Sequence, residues 1–114
     1  MNVAAPQPVI LPGLAQVADR YDAFILDLWG CVHDGLKPYA GVPEALGAMR
    51  DARKKVLMLS NVPRRVAPVR EMLARMGIGA ELYDVILSSG ESAWRALKLR
   101  NDPEFNRGWS ERSA

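Results

Sequence analysis

Two short apolar runs, each ended by a polar residue, constrain this chain more than anything else in it. Ala23-Phe24-Ile25-Leu26 runs into Asp27, and Val56-Leu57-Met58-Leu59 runs into Ser60-Asn61. Runs of four to six apolar residues, too short for a helix and not alternating, read as strands buried on both faces, as in a parallel sheet. In an open parallel sheet, ligands bind outside the carboxyl ends of the strands. A carboxylate at the end of one strand and a hydroxyl at the end of the next therefore predict a shared polar site at that rim.

The segments between the runs fit a strand–loop–helix–strand order, which closes as a right-handed parallel crossover. Residues 29–40 contain Gly30, Gly35 and Pro38 and read as a long loop, a length that in compact domains usually serves function. Over Gly41–Lys54, Val42, Leu46 and Met49 share a helix face, with Pro43 tolerated in the first turn. A third helix begins near Ala67, shows Val69, Leu73 and Met76 on one face, and ends at Gly77. Tyr83–Leu87 is a third strand. Ser88-Ser89-Gly90-Glu91 then opens a helix that carries Trp94 and Leu97, with a serine as its cap. A short helix over Gly13–Arg20 completes the set. The expected fold is α/β, a partial doubly wound domain with about three parallel strands and four helices. Its parts are an arm at 1–12, a core at 13–100 and a frayed tail at 101–114.

Composition narrows the function classes. The 114 residues fit one small domain, and hydrophobic residues make up 49% of them. A net charge of +2, with both signs interspersed, argues against nucleic acid or an anionic membrane as partner. One cysteine permits no internal disulfide. The N-terminus lacks a basic segment followed by an apolar core, so no signal peptide is expected, and no run approaches membrane-spanning length. The expectation is a soluble cytoplasmic protein.

Asp27-Leu28-Trp29-Gly30-Cys31-Val32-His33-Asp34-Gly35 after one strand, Tyr39–Leu46 after the loop, and Ser60-Asn61-Val62-Pro63-Arg64-Arg65 after the next strand together resemble the haloacid dehalogenase (HAD) superfamily, within it the class IIA hydrolases. The match continues through Leu73–Ile78 and Tyr83–Glu91 and covers about residues 21–97. The resemblance implies a Rossmann-like core and Mg²⁺-dependent hydrolysis of a small phosphorylated metabolite through an aspartyl-phosphate. Asp27 matches the catalytic nucleophile and Ser60, with Asn61, the phosphate-binding position. Asp27 and the backbone carbonyl of Trp29 match metal ligands. Backbone N–H groups at residues 28, 29 and 61 would add to the phosphate cradle.

Trp29 departs from the family pattern. Most family phosphatases carry a second Asp there, which protonates the leaving oxygen, and indole cannot. Asp34 or His33 are the loop groups that could replace it. The family's cap, its lysine and its last acidic motif find no match here, so the resemblance implies the amino-terminal part of a longer enzyme. Self-association through an uncovered sheet edge is expected of such a piece.

Blander readings stand beside these. His33-Asp34 suits a turn ending in Gly35 better than a metal pair. Cys31 reads as a small buried packing residue, Arg64-Arg65 as a solvated approach to a helix, and Met72, Met76 and Trp94 as packing. A receiver-like domain that accepts phosphate on an aspartate is the alternative from another class, as is a non-catalytic HAD-like remnant. The receiver requires an acidic pair after its first strand, where this chain has Trp-Gly. A dinucleotide-binding domain lacks its G-x-G-x-x-G after the first strand.

Overall fold

The computed structural model describes residues 3–99. Three parallel strands, β1 (Ala23–Asp27), β2 (Lys55–Ser60) and β3 (Val85–Ser88), form one sheet in the order β1-β2-β3. Four α-helices accompany them: α1 (Ala15–Ala18), α2 (Val42–Asp51), α3 (Val66–Arg75) and α4 (Ser89–Leu99). A 3₁₀ turn at Ala80–Leu82 leads into β3. This is the α/β, partly doubly wound architecture that the strand and helix patterns predict. Residues 3–12 carry no regular secondary structure, and the tail expected at 101–114 lies outside the described residues.

The core forms where α2 and α3 meet one face of the sheet. Phe24, Val56, Met58 and Ile86 from the strands pack with Leu46 and Met49 of α2 and Val69 and Leu73 of α3. Val42, Met72 and Met76 are only partly buried. Gly77, at φ 82°, ends α3, and the Ile78 N–H returns to the Leu73 carbonyl at 2.9 Å. At the amino-terminal ends of the strands, Asp84 accepts the Val56 N–H at 2.8 Å and fixes β3 against β2.

The expectation that the strands are buried on both faces fails. Ile25 is 67% and Val85 53% exposed, and Leu59 and Leu87 are exposed beside them. Successive right-handed crossovers in a β1-β2-β3 order carry their helices to the same face. The apolar run encodes burial on two faces, and the described residues supply a cover for one.

Candidate active site

β1 and β2 pair in a register that sets Asp27 opposite Leu59, and β2 and β3 pair Ser60 with Ser88. Asp27 and Ser60 therefore end neighbouring strands at the same rim, one residue out of step. Because side chains alternate along a strand, that single step puts Asp27 on the exposed side and Ser60 on the buried side. A cavity of about 570 Å³, a size suited to a small ligand, opens at this rim. Leu28, Trp29, His33, Ser60, Asn61 and Arg64 are among its lining. Asp27 stands beside it, directly before two lining residues, and does not itself line it.

The loop after β1 is held by its own polar groups. The Leu28 carbonyl accepts N–H groups from Cys31, Val32 and His33 at 3.3, 2.8 and 3.1 Å. Leu28 and Val32 are buried and anchor the loop on the core. Asp34 Oδ1 accepts the N–H groups of Leu36 and Lys37, both at 2.9 Å. The Lys37 and then the Leu36 N–H hold the Asp34 carboxyl below the usual carboxylate range. Asp34 thus closes a turn, as the blander reading has it, and its charge is engaged there. Gly35 sits at φ 97° with the six-membered part of the Trp29 indole against its Cα; a Cβ there would overlap Cζ3 and Cη2 of the ring.

His33 is 4% exposed. Desolvation lowers its pKa below the ordinary value, while the charges of Asp34 and Asp27 act in the opposite sense. Cys31 is exposed, contrary to its reading as a buried packing residue. The loop turns about the Leu28 carbonyl, and this leaves residue 31 on the outside.

The loop after β2 is clamped by the β3–α4 junction. Ser60 Oγ accepts the Val62 N–H at 3.3 Å, which leaves its own proton to donate. The Ser88 hydroxyl donates to the Arg64 carbonyl at 2.7 Å and accepts the Glu91 N–H at 3.1 Å, the cap expected of a serine at this position. Gly90 donates to the Val62 carbonyl at 3.2 Å. Glu91, 7% exposed, accepts Arg65 Nε at 2.6 Å and the Val66 N–H at 3.2 Å. Those bonds, the Arg65 guanidinium first, pull the Glu91 carboxyl down to about 2; in return Glu91 raises Arg65. Arg65 also lies 3.5 Å over the Trp94 ring.

The arginine pair thus divides. Arg64 lines the cavity and Arg65 is tied into the scaffold. Glu91 is the residue that sequence reading missed. A Ser-x-x-Glu at a helix start was the available signal, but it predicts a carboxylate folded back on its own helix. Here the carboxylate reaches across to the start of α3, while Arg95 of its own helix also donates to it at 3.3 Å.

The rim offers oxygen donors to a hard cation. No backbone N–H donates to the Trp29 carbonyl, and the Trp29 and Asn61 N–H groups donate to no backbone carbonyl among the described residues. The Asp27 carboxylate and the Trp29 carbonyl suit Mg²⁺, which takes few protein ligands and keeps its waters. No cluster of three acidic, His or Cys side chains that could hold a metal occurs among the described residues. Nor is any helix there long and apolar enough to cross a membrane.

A family model described as haloacid dehalogenase-like hydrolase matches residues 24–107. The chain is also similar to a solved structure, a hydrolase of the haloacid dehalogenase-like family from Brucella suis 1330, at 34% identity and a TM-score of 0.64. That match covers 72% of this chain and 32% of the other, so the chain spans about a third of the length of that relative. No curated protein matches. The strand order, the polar ends of β1 and β2, and a family match over most of the chain agree: this chain belongs to the haloacid dehalogenase-like hydrolases.

Proposed function

We propose that this chain carries the nucleophile and phosphate-binding rim of a class IIA-type phosphatase acting on a small phosphorylated metabolite. In that reaction an Asp27 carboxylate oxygen attacks phosphorus. A P–O bond forms to Asp27 as the P–O bond to the leaving alcohol breaks, and the leaving oxygen takes a proton. Water then attacks phosphorus, releases inorganic phosphate and restores the carboxylate. The Ser60 hydroxyl and the Asn61 N–H donate to the phosphoryl oxygens, which grow more negative along the reaction. The Asp27 carboxylate and the Trp29 carbonyl would hold Mg²⁺, which would supply the positive charge that two approaching anions require. Trp29 offers no transferable proton where the family pattern has a carboxylate, and Asp34 is engaged in its turn.

The observation that carries this reading is the pairing of Asp27 and Ser60 at one strand rim beside a cavity with free N–H groups. The chain alone is expected to turn over phosphate monoesters negligibly, because no side chain at position 29 can protonate the leaving group. The test is a phosphatase assay with Mg²⁺ on the purified chain and on Asp27→Asn. Robust turnover abolished in the variant would refute the expected inactivity and support the assignment of Asp27. A long-lived phosphoryl group on Asp27 after incubation with acetyl phosphate would instead favour a receiver-like acceptor. A cytoplasmic setting, supported by the exposed lone thiol of Cys31, belongs to the same reading. So does self-association of the chain through its open sheet.

A further inference from the structure

His33 holds a hydrogen-bond donor that the protein does not use. Its Nδ1 accepts the Gly35 N–H at 3.0 Å. A ring nitrogen that accepts an N–H carries no proton, so the neutral imidazole keeps its proton on Nε2. Nε2 is buried and has no hydrogen-bond partner among the described residues. Folded proteins rarely leave a buried donor unpaired, and one that is left so asks for an explanation. The ring lines the same cavity as Ser60, Asn61 and Arg64. Its neighbour is the Trp29 indole, with ring centroids 5.6 Å apart, and that indole is 60% exposed. The aromatic neighbour of His33 is thus a side chain largely at the surface.

We infer that His33 is a ligand-binding residue whose Nε2–H donates to an anionic oxygen of the molecule in the cavity, reached when the Trp29 indole turns aside. Of the two loop groups that could stand in for the missing carboxylate, Asp34 is engaged by the Leu36 and Lys37 N–H groups, and His33 alone lines the cavity. His33 does not replace the proton-transfer carboxylate. The Gly35 N–H occupies Nδ1, and Nε2 already bears its proton. The ring holds an oxygen in place and moves no proton. The inference takes the ligand's class, a phosphoryl group, from the phosphatase reading; the donor and its place come from the loop itself.

His33 is the chain's only histidine, so its ring nitrogens can be followed without ambiguity. The experiment is ¹H–¹⁵N NMR of the full chain at a fixed pH of about 7.5, titrated with inorganic phosphate in the presence of Mg²⁺. The expected result is an Nε2–H tautomer, with phosphate shifting Nε2 together with the Ser60 and Asn61 amides. His33→Phe, which keeps a flat ring and removes the donor, should weaken phosphate binding about tenfold or more, the size of one hydrogen bond to a charged group. Cys31→Ser, outside the cavity, should leave it unchanged. An Nδ1–H tautomer would overturn the inference. Shifts at Ser60 and Asn61 with His33 unmoved, or undiminished binding by His33→Phe, would overturn it and leave the phosphatase reading standing. No shift at any of the three residues would remove both. Should His33→Phe fail to fold, the shifts of the unaltered chain still decide.

Discussion

Gly90→Ala tests whether the β3–α4 junction shapes the cavity's lip. Gly90 is the second residue of α4, where alanine by propensity alone would be favoured by about 0.5–1 kcal/mol. The tertiary structure opposes this. A Cβ at residue 90 would lie 2.5 Å from the Arg64 carbonyl oxygen and closer still to that of Pro63. Restoring ordinary contact at 3.4 Å moves the 63–64 backbone by roughly 0.9 Å. Overpacking of this kind costs about 1–3 kcal/mol. The displaced backbone also carries the Ser88–Arg64 and Gly90–Val62 hydrogen bonds, each contributing about 1 kcal/mol. Set against the propensity gain, the net loss is about 2–4.5 kcal/mol. Gly47→Ala is the control. Gly47 lies inside α2 with open space where a Cβ would stand, so alanine should stabilise by about 0.5–1 kcal/mol. Urea unfolding followed by far-UV circular dichroism reads both. The reasoning fails if Gly90→Ala unfolds at the same urea concentration as the unsubstituted chain, or above it.

Four further outcomes follow from the polar groups and the open sheet face. Glu91 has its folded pKa pulled from 4.5 to about 2, so its stabilisation is intact above pH 4.5 and is lost as the pH falls toward 2; Glu91→Gln should flatten urea midpoints across that window. His33, lowered from 6.5 by burial, favours the unfolded chain once protonated, so stability should already decline as the pH drops below 6.5, and His33→Phe should remove that part. The buried Tyr83 hydroxyl has no hydrogen-bond partner among the described residues, and Tyr83→Phe should leave the urea midpoint unchanged or raise it by the equivalent of about 1 kcal/mol; a clear drop would reveal a bond to that hydroxyl. Light scattering should show concentration-dependent association that weakens in Ile25→Lys and Val85→Lys, whose parent residues are exposed on the uncovered face, and a strictly monomeric chain would refute this.

What the sequence by itself determined is local. Apolar runs stopped by Asp27 and by Ser60 marked strand ends. The 3.6-residue spacing of Leu46 with Met49 and of Val69 with Leu73 marked helix faces, and Ser88 and Gly77 marked a start and a stop. Each depends on backbone geometry within a few residues, which composition and period express directly. Tertiary structure decided the rest. The one-step offset between Asp27 and Ser60 is a property of pairing between strands about thirty residues apart. Burial of Glu91 against Arg65, exposure of Ile25 and Cys31, and enclosure of the His33 ring all depend on what lies across the fold. Burial and long-range pairing are set by the sum of packing from distant segments, and no local period in the chain records which neighbour will be there.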